Sequence, residues 1–336
     1  MNKKIIQILV IQTFIKKMGD KLDFILLLYF LNLVKKKRHY NFLKKISKMP
    51  KRKTSSPKNL RIPKVILITA KIFAFISTKL VTRFAAKLFV TPIKHKTPKR
   101  EHEMESKSKK QIIKVAVINK EIMTYHYGNS DKKILLVHGW SGRGTQLFKI
   151  ADELIRNNYS TISFDAPAHG KSPGQTSIMT DFIESILEID KQFGPFEAII
   201  GHSLGGMSTL NAINKGLKVK NATVIGSGDV VQDIVDDFVI KLKLNPEIGN
   251  QLRAHFEKKY GSIMDDYSAY KATANINVPI LVIHDRNDIE VPVSAGIHIH
   301  EHCKKGTLLL TNNLGHRKIL GDKDVIEATT NFILKN

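Results

Sequence analysis

Ser203 stands in the stretch AIIGHSLGGMSTL (198–210), with Gly201 two residues before it and Gly205 two after, the pattern G-x-S-x-G. The apolar run ahead of the serine reads as a buried strand and the residues behind it as a helix, so Ser203 falls at an abrupt turn between them. A serine held in a strained backbone at such a corner needs neighbours without bulk, and the strain lifts its hydroxyl clear of the sheet. The following N–H, that of Leu204, then opens the helix, where unpaired donors favour negative charge. A nucleophile beside an anion-stabilising donor is the chemistry of acyl transfer. A hydroxyl is a poor nucleophile near neutral pH, so it needs a histidine as base and a carboxylate to fix that histidine's tautomer. Five residues of glycine and serine recur by chance, and the partners decide the matter.

The elements that position such partners are legible from Ile112 onward, where short apolar runs alternate with helical stretches. That alternation argues for a mostly parallel sheet. Strands are expected at 113–118, 122–127, 134–138, 161–165, 198–202, 222–226, 280–284 and 307–311, with helices such as 146–157, 180–193 and 204–215 between them. Eight strands with crossover helices make a doubly wound sheet, in which ligands gather at the carboxyl ends of the strands. At those ends the chain supplies the missing parts. After ILLVH comes GWSGRG, a glycine-rich turn whose N–H groups, Trp140 in particular, can meet a developing oxyanion. After ILVIH comes DRNDIEVP with Asp288, and after TLLLT comes NNLGHRKIL with His316. Asp285 is the rival acid and is expected to cap or turn the chain instead; Asp229, after the sixth strand, is a weaker rival. Of the 13 histidines, His316 alone follows the last strand in an N-L-G-H turn.

The order Ser, Asp, His, with HGW at 138–140, FDAPAHGKS at 164–172, GHSLGG at 201–206, HDRNDIEVP at 284–292 and GH at 315–316, resembles the α/β-hydrolase fold serine hydrolases, in their esterase and lipase-like branch. The resemblance covers about residues 112–334. It implies an α/β fold, a doubly wound, mostly parallel eight-stranded sheet, with Ser203 as nucleophile, His316 as base and Asp288 as orienting acid. The N–H groups of Trp140 and Leu204 would form the oxyanion hole, while Asp165, His169 and Gly170 would shape the site from outside the triad. The family uses no cofactor or metal for this chemistry, so none is expected, and the substrate would be a small or lipid-derived ester or thioester. Relatives with an aspartate nucleophile are disfavoured because the elbow carries serine. A non-catalytic binding or scaffold protein that keeps the fold is the alternative. The roughly 50 residues between Gly226 and Pro279 hold helical candidates at 230–242 and 246–259, and in this fold an insertion there forms a cap, here about 228–278.

Charge divides the chain sharply. Residues 1–110 carry 29 Lys and Arg against 5 Asp and Glu, while residues 111–336 carry 25 of each. The neutral part gives no reason to expect a polyanionic substrate, and the basic part suits contact with an anionic membrane. Nucleic acid is disfavoured, because aromatics do not interleave with the Lys/Arg clusters. Three divisions follow: 1–61 a basic low-complexity leader and linker, 62–111 an amphipathic basic helix and a charged, exposed linker, and 112–336 the catalytic domain. The run 5–15 is interrupted by Gln7 and Gln12 and lacks a signal-peptidase site. Residues 24–34 followed by the cations 35–38 are too short to span a bilayer and read as an interfacial anchor. Met49 opens a second start, so residues 1–48 are expected either as that anchor or as a leader foreign to the protein. From 62 to 90 one long helix is expected, packed on the domain or lying on lipid. The lone Cys303 forbids an intrachain disulfide and suits a reducing, cytoplasmic setting at or near the inner face of the membrane. Catalysis by Cys303 is disfavoured by its context, and His298, His300 and His302 do not share one helix face as a metal site would require.

Overall fold

In the computed structural model, which describes residues 62–336, the chain runs through α1 (Lys64–Ile76), α2 (Thr78–Phe89), α3 (His102–Lys107), β1 (Lys109–Val115), β2 (Lys120–Tyr127) and β3 (Lys133–Val137). It continues through α4 (Phe148–Arg156), β4 (Ser160–Asp165), α5 (Met179–Phe193), β5 (Ala198–His202), α6 (Leu204–Asn214) and β6 (Asn221–Ile225). Then come α7 (Val231–Lys241), α8 (Glu247–Tyr260), α9 (Ala269–Thr273), β7 (Ile280–Asp285), α10 (Val293–Glu301), β8 (Gly306–Thr311), α11 (Gly315–Lys318) and α12 (Lys323–Lys335). The expectations for residues 1–61, including the anchor at 24–34 and the second start at Met49, lie outside the described residues.

The strands form one sheet in the order β1-β2-β4-β3-β5-β6-β7-β8. Only β1–β2 and β2–β4 pair antiparallel; β3–β4 and every neighbour from β3 to β8 pair parallel. The central strands read as unbroken apolar runs because helices cover both of their faces. Ile134 and Leu136 point to one face with Ile150 and Leu154 of α4 and Val325 and Ile333 of α12. Leu135 and Val137 point to the other, against Phe182, Ile183 and Ile186 of α5. Register then brings the carboxyl ends level: Val137 lies opposite Gly201, His202 opposite Ile225, and Asp285 opposite Thr311. The fold is the α/β-hydrolase arrangement expected from the sequence.

Three local expectations need correction. The helix expected over 62–90 is broken at Ser77, whose φ of −165° and ψ of 131° are extended. Ser77 closes α1 through its N–H to the Phe73 carbonyl (2.9 Å) and opens α2 through its carbonyl, which accepts from Leu80 and Val81 (both 3.1 Å). Serine has little intrinsic preference for a helix interior, and the break lets Phe73 meet Phe84 edge to face at 5.2 Å. The first strand begins earlier than expected and ends at Val115, because residues 116–118 form a 3-10 turn that leads to Asn119 at φ 49°. Finally, residues 94–111 are mostly exposed, as expected, but do not form a free linker: Glu101 and Met104 are each 1% exposed and anchor the segment.

Helix α2 packs on protein. Val81 and Ala85 are fully buried, the Phe89 ring lies 5.1 Å from Phe238 and 5.6 Å from Phe256, and Thr82 Oγ1 donates to Gln251 Oε1 at 3.1 Å. Its partners α7 and α8 belong to the insertion between β6 and β7. Asp229 ties that insertion down: its carboxylate accepts from the Tyr270 N–H at 2.9 Å and from His298 Nδ1 at 2.5 Å, and its carbonyl accepts from Ala269 N–H at 2.9 Å. Among the described residues no helix is long and apolar enough to cross a membrane.

Candidate active site

Ser203 adopts φ 55° and ψ −123° at the start of α6, a region that side chains other than glycine rarely occupy and that costs roughly 1–3 kcal/mol. The reason for its small neighbours is steric. A Cβ on Gly201 would lie 2.4 Å from the Gly205 carbonyl oxygen, and one on Gly205 would lie 2.5 Å from those of Val137 and His138. The turn after β3 comes equally close, since a Cβ on Gly139 would sit 2.8 Å from Ser203 Cβ. Trp140 is the next residue of that turn, which closes through Gly142 N–H to the Gly139 carbonyl at 3.0 Å. Leu204 is the first residue of α6, so its N–H is one of the donors a helix start leaves without an intrahelical acceptor.

His316, 8% exposed, donates from Nδ1 to Asp288 Oδ2 at 2.7 Å. With Nδ1 carrying the proton, Nε2 keeps its lone pair. Asp288 is held in turn, its Oδ1 accepting from the Glu290 N–H at 2.8 Å and the Val291 N–H at 3.0 Å. Burial pushes the Asp288 carboxyl up, and His316 with those two N–H groups outweighs it, leaving the pKa below the ordinary value. His316 and Ser203 share the same end of the sheet. The Ser203 N–H donates to the Ile225 carbonyl at 3.0 Å, and a Cβ on Gly226, the next residue after Ile225, would lie 3.3 Å from His316 Nδ1. His202 Nε2 donates to the His316 carbonyl at 2.9 Å, with the two rings 4.6 Å apart. The Ser203 hydroxyl itself has no hydrogen-bond partner among the described residues; such bonds often tighten only with substrate in place.

The rivals stand elsewhere. The fully buried Asp285 accepts from the N–H groups of Asn287, Leu314 and Gly315 and from Thr311 Oγ1, at 2.8–3.0 Å. It thereby shapes the loop that presents His316. Burial raises its carboxyl, and those four donors, Gly315 foremost, bring it below its ordinary value. Asp229 faces His298, and His302 Nδ1 donates to the His298 carbonyl at 2.8 Å. Burial drives the Cys303 thiol up to about 12, the opposite of an activated thiolate.

Of the residues that position the site, His138 and Glu101 escaped the sequence reading, whereas Asp165 is named there as shaping the site. His138 donates from Nδ1 to the Gly139 carbonyl at 2.7 Å and accepts at Nε2 from the Ala166 N–H at 3.0 Å, fixing a neutral ring between the two site loops. Asp165, fully buried, accepts from the N–H groups of Gly144 and Lys171 at 2.7 Å and from the Tyr125 hydroxyl at 2.8 Å. Burial raises the Asp165 carboxyl against those bonds. The segment before α3 adds a strap. Ile93 N–H donates to Ser141 Oγ at 3.0 Å, Lys94 Nζ to the Ser172 carbonyl at 2.7 Å, and the Glu101 carboxylate accepts from Arg143 Nε at 3.0 Å and Thr145 Oγ1 at 2.8 Å. Glu101 thus holds the far side of the turn that bears Trp140. Glu101→Gln leaves Arg143 without its counter-charge, so a stability loss of about 3 kcal/mol is expected. If the Trp140 N–H serves an oxyanion as expected from the sequence, its displacement should lower kcat for ester hydrolysis about tenfold or more at nearly constant KM; thermal unfolding and steady-state kinetics check the two effects.

The site is also ringed by buried neutral histidines. Burial lowers His202 to about 3 and His169 to about 4, and His138 and His284 shift the same way. The unfolded chain therefore takes up protons below about pH 6.5 that the folded chain refuses. Stability from these groups is complete above that pH and is lost as pH falls toward the folded values. Each contributes a slope of about 1.4 kcal/mol per pH unit in that window. His202→Gln keeps a donor for the His316 carbonyl and should remove one such increment, measured by urea unfolding between pH 6.5 and 5. An unchanged slope would show that His202 is protonated in the folded protein.

Residues 134–287 match the alpha/beta hydrolase family. Monoglyceride lipase of Saccharomyces cerevisiae is 33% identical over 112 residues, 30% of this chain and 36% of that protein, so the matched part spans about a third of the relative's length. An esterase from Pyrococcus furiosus superposes with a TM-score of 0.55 at 18% identity, covering 73% of this chain and 97% of the other. An esterase from Exiguobacterium antarcticum gives 0.54 at 17%, covering 67% and 99%. A bromoperoxidase from Bacillus anthracis gives 0.53 at 16%, covering 68% and 100%. At such identities the likeness speaks for the fold alone, and fold does not fix chemistry. By its sheet the chain has the α/β-hydrolase fold, and over residues 134–287 it is similar to the alpha/beta hydrolase family.

Proposed function

We propose that the protein is a serine hydrolase that cleaves a carboxylic ester or thioester through an acyl-enzyme on Ser203. The observation that carries this reading is the pairing of a left-handed serine at a strand-to-helix corner with a buried His316–Asp288 hydrogen bond of 2.7 Å at the same end of the sheet. His316 Nε2 takes the Ser203 proton as Oγ bonds to the carbonyl carbon, and Asp288 stabilises the resulting imidazolium. The N–H groups of Trp140 and Leu204 receive the oxyanion, an interaction worth about 100- to 1000-fold in rate per donor. His316 then protonates the departing alcohol or thiol, and a water activated by the same nitrogen releases the acid and regenerates the serine. The similarity to monoglyceride lipase favours a lipid-derived acyl group.

Covalent labelling by a fluorophosphonate probe, combined with a chain-length series of model esters, tests class and pocket size together. Folded wild-type protein should be labelled and Ser203→Ala should not. Absence of labelling and of turnover in folded wild type would sink the catalytic reading in favour of a binding protein that keeps the fold.

A further inference from the structure

Away from the candidate active site, a groove of about 670 Å³ runs between α2 and α8. Lys79, Thr82 and Arg83 line it from α2, and His255, Lys258 and Lys259 from α8, with no carboxylate among its lining residues. The four Lys and Arg side chains belong to exposed residues and form no ion pair among the described residues. Cations gathered without counter-charges repel one another, an arrangement that suits an anionic partner. The imidazole between them registers the same field: His255 is lowered first by burial and then by Lys259 and Arg83.

Apolar side chains flank both ends of this basic floor in the chain. Phe75 and Ile76, just before Thr78, are 93% and 62% exposed; Tyr260 and Ile263, just after Lys259, are 44% and 60% exposed. Ile68 of α1 is 56% exposed as well, and Lys259 Nζ lies 5.0 Å from the Tyr260 ring. Clustered exposed apolar groups beside bare cations mark a surface that meets something both greasy and negative. A single-stranded nucleic acid would instead call for aromatic platforms along the phosphate track, and here aliphatic side chains supply much of the apolar rim.

We propose that the α2–α8 groove and its apolar rim form a docking site for an anionic phospholipid surface, with phosphate headgroups in the groove and Phe75, Ile76, Tyr260 and Ile263 entering the interface. This refines the expectation from sequence, which assigns membrane contact to residues 1–110, because half of the groove belongs to the insertion between β6 and β7. It does not depend on the chemistry of Ser203.

Co-sedimentation of the full chain with vesicles tests it. Wild type should bind vesicles of phosphatidylcholine containing phosphatidylglycerol far better than phosphatidylcholine alone, and salt should weaken the binding. The combined variant Lys79→Gln, Arg83→Gln, Lys258→Gln, Lys259→Gln should bind at least about tenfold more weakly, since each basic side chain near an anionic surface is worth about fivefold. Phe75→Ser with Ile76→Ser should also weaken binding but leave the salt dependence unchanged. Wild-type binding by the fourfold variant would overturn the proposal, as would displacement of the protein from vesicles by inorganic phosphate or a short single-stranded DNA. Ser203→Ala should bind like wild type, so a failed docking test and a failed catalytic test are separate results.

Discussion

Replacing Ser203 by glycine is expected to abolish ester hydrolysis and, in the same protein, to raise the melting temperature. Loss of the hydroxyl removes the only proposed bond to the acyl group, and deleting the nucleophile of a serine triad costs on the order of 10⁶-fold in kcat. Stability should move the other way. At φ 55° a serine pays roughly 1–3 kcal/mol that glycine does not, against about 0.5–1 kcal/mol from the greater freedom of glycine in the unfolded chain. A net gain near 1 kcal/mol corresponds to a rise of about 2–4 °C for a domain of this size. Ser203→Ala should lose the same activity with no comparable rise, because alanine keeps the strained conformation. Calorimetry with an ester assay checks both halves. Residual hydrolysis in either variant would place the nucleophile elsewhere, and a lower melting temperature for glycine would mean the strain is relieved by contacts not assigned to it.

Asp288→Asn is expected to lower kcat by about 10⁴-fold, the usual cost of the wrong histidine tautomer. The geometry forces that tautomer. Asp288 Oδ1 is engaged by the N–H groups of Glu290 and Val291, while Oδ2 receives the His316 proton. An asparagine must keep its oxygen on the two N–H donors, so its NH₂ group turns toward His316 Nδ1 and can only donate. The ring proton then moves to Nε2, and the lone pair needed by Ser203 is gone. Asp285→Asn serves as the contrast. All four groups around that carboxylate are donors, so an amide there loses stability first. The expected pattern is a large kcat loss with a modest change in melting temperature for Asp288→Asn, and a clear drop in melting temperature for Asp285→Asn. If the two variants exchanged these signatures, Asp285 would be the acid.

Strand positions were legible because the central sheet is covered on both faces, which leaves an unbroken apolar run for each buried strand, and the observed bounds of β5 match the expected 198–202. Boundaries failed where local and tertiary preferences compete. In the run 62–90 the weak helix preference of Ser77 is too slight a signal to mark a break, and the extended backbone there goes with the packing of Phe73 on Phe84. Glu101 sits in a stretch of mixed charge that reads as solvated, and only the approach of Arg143 and Thr145, more than 40 positions away in the chain, makes its burial tolerable.

By itself the sequence determined the chemistry on offer at Ser203, Asp288 and His316 and the order of strands and helices that carries them. Residue type and glycine spacing are local properties, and a nucleophile elbow is built from five consecutive residues. How the Trp140 turn is braced by Glu101 and Asp165, and why four cations of α2 and α8 face one groove, were decided by tertiary structure alone. The reason is physical. Those relations depend on sheet register and on side chains brought within about 3 Å across long chain separations, where hydrogen-bond geometry discriminates steeply, and no local pattern encodes such a distance.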